Sequence, residues 1–255
     1  MIDTHCHLHD RKFDADREAV VERARKAGVS AMVTIGENVV DSVRALEIAE
    51  QYDLTTAVGI HPHEAKNAPA DVATELRALL GAARVVAVGE TGLDYYYGHS
   101  PRDAQAAVMR AQIRVAQDAA LPVVFHQRDA FEDFTAILRE EWTPGMRGVV
   151  HCFTGTPEQA RTYVGAFGLL LGIGGVLTFP NAEPLRQAVR EVGIGQIVLE
   201  TDCPYLAPVP MRGKRNEPAF VAHTAAALSG LLNMPLDEIV AKTDENAAGL
   251  FGLRV

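Results

Sequence analysis

Short apolar runs rich in β-branched residues alternate along the whole chain with stretches of helical periodicity. The runs lie near residues 2–5, 30–35, 55–60, 85–89, 121–125, 147–150, 168–173 and 196–201. Near-continuous apolar strands are typical of a parallel sheet buried on both faces, and eight strand-then-helix units predict a (β/α)8 TIM barrel of the α/β class. An open doubly wound sheet is the alternative. Its glycine-rich turn after the first strand is absent, because His5-Cys6-His7-Leu8 stands there.

Helix starts can be recognised between the runs. The predicted caps are Asp14 or Asp16, Asn38, Ser100 ahead of Pro101, and Thr156 in a capping box with Gln159.

No Gly/Ser-rich linker and no shift in composition divides the chain, so we expect one domain over residues 1–255. The tail from about 234 to 252 predicts one or two short C-terminal helices that close over the barrel, anchored by Leu250 and Phe251.

Composition narrows the classes of function that suit this chain. The apolar fraction is 48%, and no run approaches the roughly 18 apolar residues of a membrane span. Three cysteines without paired spacing argue against a disulfide scaffold, and with no signal-peptide pattern they predict a cytoplasmic protein. The net charge of −9 offers no general electrostatic surface for duplex DNA or anionic membrane. A polyanionic substrate must therefore be bound locally.

Imidazole and carboxylate side chains follow five of the apolar runs, and the strand ends of a barrel converge on one face. The predicted metal ligands are His5, His7, Glu90, His126, His151 and Asp202. A lone strand-end histidine is more often structural, but so many at strand ends favour divalent metals. Six ligands exceed what one ion with an open position needs. We expect His5, His7 and Asp202 to bind one ion, His126 and His151 a second, and Glu90 to bridge them.

Asp202 is the predicted general base, since a ligating carboxylate lies within reach of a metal-activated hydroxide or water. Together with the bridging Glu90, it makes up the predicted catalytic pair.

Further side chains are candidates for substrate contacts. Arg212 and Arg215 lie in a basic loop after the eighth run, and Arg128 follows His126. Their guanidinium groups match phosphate oxygens, although a loop held by salt bridges is the alternative. His61 and His63 are predicted substrate or supporting contacts. The tyrosines at 95–97 either stack on a base or pack against a neighbouring loop.

The motifs that contain these residues resemble the TatD family of metal-dependent deoxyribonucleases, a branch of the amidohydrolase-like barrels. The matching blocks begin at Asp3-Thr-His-Cys-His-Leu and continue through Gly59-Ile-His-Pro-His, Gly89-Glu-Thr-Gly-Leu-Asp-Tyr, His151-Cys-Phe-Thr-Gly and Leu199-Glu-Thr-Asp-Cys-Pro to Asn246-Ala-Ala-Gly-Leu-Phe. The resemblance implies a two-metal barrel with the six ligands named above. It also implies Mg²⁺- or Mn²⁺-dependent 3′→5′ exonuclease activity on single-stranded DNA, with Zn²⁺ or other ions as possible substitutes. Gln127 and Met211 depart from the Ser and His expected at those positions, which leaves the substrate range open.

Two other functions fit parts of the sequence. The same metals can polarise a carbonyl, so an amidase, lactonase or deacylase is the first alternative. A metal-loaded partner in protein quality control, without catalysis, is the second. The expected partner is DNA as substrate, with no membrane and no obligate protein partner.

Overall fold

The computed structural model describes residues 1–253, and within them eight parallel strands alternate with helices as the sequence predicts. The strands are β1 Ile2–Cys6, β2 Ala31–Ile35, β3 Thr55–Val58, β4 Val85–Asp94, β5 Val123–Arg128, β6 Gly148–Val150, β7 Leu170–Ile173 and β8 Ile197–Leu199. They form one sheet in the order β1 to β8. Just past β8, the Asp202 N–H donates to the His5 carbonyl at 2.8 Å, which joins the last strand end to the first. The predicted TIM barrel is confirmed.

Helices follow the strands throughout the barrel. They are α1 Arg17–Lys26, α2 Val39–Tyr52, α3 Val72–Leu80, α4 Arg102–Ala119, α5 Phe131–Glu141, α6 Pro157–Phe167, α7 Glu183–Val192, α8 Val221–Leu232 and α9 Leu236–Phe251. The C-terminal tail is one 16-residue helix, and its predicted anchors Leu250 and Phe251 are buried. Asn38 caps α2, and Thr156 forms the predicted capping box with Gln159.

Two of the predicted caps behave differently in the structure. Pro101 has an extended backbone and is itself the N-cap of α4, so the helix begins at Arg102, one residue later than predicted. The Ser100 hydroxyl instead donates to the His63 carbonyl at 2.7 Å and accepts the Lys66 N–H at 3.1 Å. Asp16 precedes α1 without a side-chain cap, because its carboxylate binds Arg215. Both side chains connect segments distant in sequence, which a local pattern does not report.

The chain forms two compact units, residues 35–151 and residues 1–34 with those from 152 on. In the first unit Phe125 packs edge-on against Phe134, with ring centroids 5.3 Å apart. In the second, Phe153 packs against Tyr163 at 6.1 Å. The prediction of one domain over residues 1–255 stays a prediction, and its last two residues lie outside those described.

Among the residues that the structure describes, no single helix has the length and apolar character needed to cross a bilayer. One pair of helical segments, Pro218–Leu232 and Leu236–Phe251, meets that criterion only when joined across a bend of 112°.

Candidate metal-binding clusters

Three predicted ligands meet where β1 and β8 end, and we call His5, His7 and Asp202 the β1/β8 cluster. His5 and His7 are two residues apart, so both side chains leave the same face of the strand. Their Nε2 atoms are 3.2 Å apart. Asp202 Oδ1 lies 3.3 Å from His7 Nε2 and 3.8 Å from His5 Nε2. Both histidines are buried, and Asp202, at 14% exposed, is the member of the cluster that solvent reaches most easily.

A buried carboxylate that the sequence analysis passed over supports this cluster. Asp3 accepts hydrogen bonds from the Thr201 N–H at 2.9 Å and the Thr201 hydroxyl at 2.6 Å. Burial raises the pKa of Asp3 to about 8, although its hydrogen bonds with Thr201 and the His5 N–H oppose the shift. Because Asp3 lies on β1 and Thr201 follows β8, these bonds fix the register that brings Asp202 beside His5.

Three further predicted ligands lie together: Glu90 within β4, His126 within β5 and His151 just after β6. We call Glu90, His126 and His151 the β4–β6 cluster. Glu90 Oε1 lies 2.9 Å from His126 Nδ1 and 2.9 Å from His151 Nε2. Glu90 and His151 are buried, and His126 is 17% exposed. One carboxylate oxygen therefore faces two ring nitrogens from two different strands.

Asp94 is the residue of this region that the sequence analysis missed. Its Oδ2 atom lies 3.0 Å from His126 Nε2 and 3.0 Å from His63 Nε2. A histidine that binds a metal through one ring nitrogen commonly donates the other to a carboxylate, which fixes the orientation of the ring. Asp94 stands in that relation to His126. The sequence did contain a signal for Asp94. Alternate residues of a strand share a face, and β4 runs on past Glu90 to Asp94, so the two carboxylates can lie on the same face.

Glycine at position 92 allows β4 to approach β5 at this point. Gly92 has φ +144°, and a Cβ built there would overlap the carbonyl oxygen of His126. Gly92 pairs with His126 in the parallel register, just beyond an irregularity between Val88 and Thr91. The close approach places the His126 ring between two acidic side chains of one neighbouring strand.

The donor atoms of both clusters fit divalent ions. With metal–ligand bonds of about 2.0–2.1 Å, neighbouring ligand atoms lie about 2.9 Å apart at a right angle and about 3.3 Å apart at a tetrahedral one. The 3.2 Å between His5 and His7 and the 2.9 Å between Glu90 and His126 fall in that range. If Nε2–H of His126 donates to Asp94, the Nδ1 lone pair faces the Glu90 carboxylate. A cation between those two acceptors satisfies both of them.

Burial lowers the pKa of His61 and His126, whereas the neighbouring carboxylates raise it. Burial lowers the pKa of His61 to about 4, against the attraction of Glu90. Burial also lowers the pKa of His126, but hydrogen bonds with Asp94 and Glu90 outweigh it and raise that pKa above its ordinary value. The pKa of Asp94 rises through burial, yet hydrogen bonds from His126 and the Tyr97 N–H bring it below its ordinary value. An ionised Asp94 and a neutral His61 suit cation binding.

The predicted substrate residues lie in different settings. His61 Nε2 is 3.5 Å from Glu90 Oε1, and His61, Glu90 and His126 together form a set of donors close enough for one ion. The Arg128 guanidinium lies 4.0 Å from the Tyr96 ring centroid, and that of Arg212 lies 3.7 Å from the Phe179 centroid. Both arginines are exposed.

Arg215 differs from the other two arginines. It binds both oxygens of Asp16, at 2.8 and 2.7 Å, and donates to the Lys12 carbonyl at 2.6 Å. These bonds match the salt-bridged alternative for the basic loop. A phosphate contact by Arg215 stays a prediction, and it would require the Arg215 guanidinium to break its hydrogen bonds with Asp16.

Known proteins match this chain along nearly its whole length. The family model "TatD related DNase" matches residues 2–252. An uncharacterized metal-dependent hydrolase, YabD of Bacillus subtilis, is 40% identical over 98% of this chain and 98% of its own. The 3′-5′ ssDNA/RNA exonuclease TatD of Erwinia amylovora is 38% identical over 99% of this chain and 100% of its own. The crystal structure of YJJV, a TatD homolog from Escherichia coli, superimposes with a TM-score of 0.93 and 32% identity over 100% of this chain and 98% of that one.

Proposed function

Since the chain belongs to the TatD family of metal-dependent hydrolases, we propose that it removes nucleotides from the 3′ end of single-stranded DNA. The observation that carries this proposal is the set of imidazole and carboxylate donors that lie on five strands or just after them, gathered into two clusters whose spacing suits divalent ions. The choice of substrate is supported by relatives that are named 3′-5′ ssDNA/RNA exonucleases and that match 99% of this chain.

We assign one divalent ion to each cluster. His5, His7 and Asp202 would bind the first, and Glu90, His126 and His151 the second. The carboxylate oxygens suit Mg²⁺ or Mn²⁺, which we propose for activity, and the imidazole nitrogens also admit Zn²⁺. When bound, such ions lower the pKa of a water molecule and stabilise charge on phosphate oxygens. The bridging role of Glu90 stays a prediction of the sequence.

The side chains of this protein supply orientation and proton transfer. Asp202 is the more exposed member of its cluster, so its carboxylate can accept a proton from the attacking water. Asp94 holds His126 by its Nε2 atom and leaves Nδ1 directed at Glu90. Arg128 and Arg212 offer exposed guanidinium groups for the phosphates of the strand. A few such contacts suffice for an acidic enzyme that handles one strand end at a time.

The test is a nuclease assay with controlled metal content. The protein is stripped of metal, reloaded with Mg²⁺, Mn²⁺ or Zn²⁺, and given single-stranded DNA labelled at the 5′ end. We expect products that shorten stepwise from the 3′ end, only with metal present, and no products from Glu90→Gln. Glu47→Gln, an exposed substitution on α2, is the matched control and should keep full activity.

Two results would contradict the proposal. An intact oligonucleotide with two ions bound per chain would favour carbonyl substrates, which a panel of esters, lactones and amides would then identify. Cleavage that persists unchanged in Glu90→Gln would show that the β4–β6 cluster does not carry the activity.

A further inference from the structure

Two tyrosine rings are exposed beside the β4–β6 cluster. Tyr96 is 59% exposed and Tyr97 is 52% exposed, with ring centroids 4.9 Å apart in an edge-on arrangement. The Arg128 guanidinium lies over both rings, 4.0 Å from the first centroid and 4.8 Å from the second. His99 stacks nearly parallel to Tyr97, with centroids 5.5 Å apart. We call Tyr96, Tyr97 and Arg128 the aromatic platform.

The neighbouring Tyr95 shows what a structural tyrosine looks like in the same segment. Its hydroxyl donates to Asp133 at 2.7 Å, and the Arg102 guanidinium lies 4.0 Å from its ring centroid. Tyr95 is partly buried. Packing therefore accounts for Tyr95, whereas it leaves much of the Tyr96 and Tyr97 rings facing solvent. Adjacent exposed aromatic rings with an arginine are the arrangement that proteins use to stack the bases of single strands.

The aromatic platform is fixed to a predicted metal ligand through one carboxylate. Asp94 Oδ1 accepts the backbone N–H groups of Tyr96 at 3.0 Å and Tyr97 at 2.9 Å. Asp94 Oδ2 faces His126 Nε2 at 3.0 Å. Gln105 holds the Asp94 backbone from both sides, accepting its N–H and donating to its carbonyl. The backbone that carries the tyrosine rings therefore keeps a defined position relative to His126.

We propose that the aromatic platform is a base-stacking subsite, which binds a nucleobase of single-stranded DNA or RNA while the Arg128 guanidinium contributes cation–π contact. This inference rests on the proposed exonuclease function and adds the element that selects for unpaired bases. Every base presents a π face, so the subsite is tolerant of sequence. A base paired and stacked in a duplex cannot reach it without leaving its neighbours.

The test compares two substrates on the metal-loaded enzyme. One is a ten-residue oligothymidylate, and the other is the same strand with abasic residues next to its 3′ end. We expect the wild-type protein to prefer the strand with bases by about 10-fold in kcat/KM. The double variant Tyr96→Ala, Tyr97→Ala should lose that preference, through a higher KM for the strand with bases.

Two controls separate stacking from folding. Tyr96→Phe with Tyr97→Phe retains both rings and should retain the preference. Tyr52→Ala removes a tyrosine from α2, in another part of the chain, and should behave as wild type. The thermal midpoint of each variant is measured alongside.

The outcomes distinguish the two proposals. Equal wild-type kcat/KM on the two strands would overturn the stacking subsite and leave the exonuclease standing. A preference that survives in the double alanine variant would also overturn the subsite, because the discriminating contact would then lie elsewhere. No product from either strand would overturn the exonuclease and, with it, this inference.

Discussion

The β1/β8 cluster and the β4–β6 cluster present similar donor atoms but assemble them differently. The first takes both imidazoles from one strand, two residues apart, and needs only Asp202 from another. The second takes each ligand from a different strand and adds Asp94 to orient His126. A local motif can therefore specify most of the first cluster, whereas the second depends on the register between strands. We expect the second to be the more sensitive to changes outside its ligands.

Removing one ligand from each cluster is the strongest test of their equivalence as ion sites. We expect His7→Ala and His151→Ala each to lose one of two bound ions and to lower kcat by about 1000-fold or more, because an ion supplies several kcal/mol of transition-state stabilisation. Metal content by mass spectrometry and kcat on single-stranded DNA measure the two effects. A variant that keeps both ions would remove its histidine from the ligand set.

A methyl group at the contact between β4 and β5 tests the dependence on register. Gly92→Ala places a Cβ against the His126 carbonyl at a φ of +144°, so we expect the free energy of unfolding to fall by about 3 kcal/mol or more. Gly81→Ala, with no atom within 4 Å of its Cβ, should change it by less than about 1 kcal/mol. Urea denaturation of both variants makes the comparison. Equal stability would mean that the strands can separate here without cost.

The Asp94 carboxylate contacts a predicted ligand of the β4–β6 cluster, so its replacement tests the two ion sites separately. Asp94→Asn keeps the size of the side chain but weakens its hydrogen bond with His126. We therefore expect affinity for the ion of the β4–β6 cluster to fall about 10- to 100-fold, while affinity for the ion of the β1/β8 cluster is unaffected. Asp118→Asn, on an exposed pair with Arg77, is the control and should leave both affinities unchanged. Calorimetric titration with Mn²⁺ resolves the two sites. An equal loss at both sites would contradict the assignment of Asp94 to one cluster.

The smallest effect is expected at Arg215, outside both clusters. Its hydrogen bonds lower the pKa of Asp16, so the pair stabilises the fold above the ordinary pKa of that carboxyl and loses this contribution as the pH falls through the lowered value. The pair is about one-third exposed, and Arg215→Ala should cost at most about 1 kcal/mol at pH 7, with the difference narrowing below about pH 4. Unfolding at several pH values tests this. A difference that grows in acid would have the wrong sign.

The sequence predicted the order and type of the elements because the apolar runs and caps are local signals. It placed six ligand candidates at strand ends for the same reason. It did not predict that β4 continues to Asp94, since the run of aliphatic residues stops earlier and glycine and polar residues follow. Ser100 and Asp16 were predicted as caps, yet their partners are distant in sequence. Local patterns do not report such partners.

The two oxygens of Asp94 have a thermodynamic consequence. One oxygen orders the segment that carries the tyrosine rings, and the other orders the imidazole of His126. If a base settled on the rings, it would restrict this carboxylate further, and part of the entropy cost of orienting the imidazole would then already be met. By reciprocity, the factor by which the strand increases affinity for the ion equals the factor by which the ion increases affinity for the strand. On the two proposals above, strand and ion would act as heterotropic effectors of each other, with Asp94 as the coupling element.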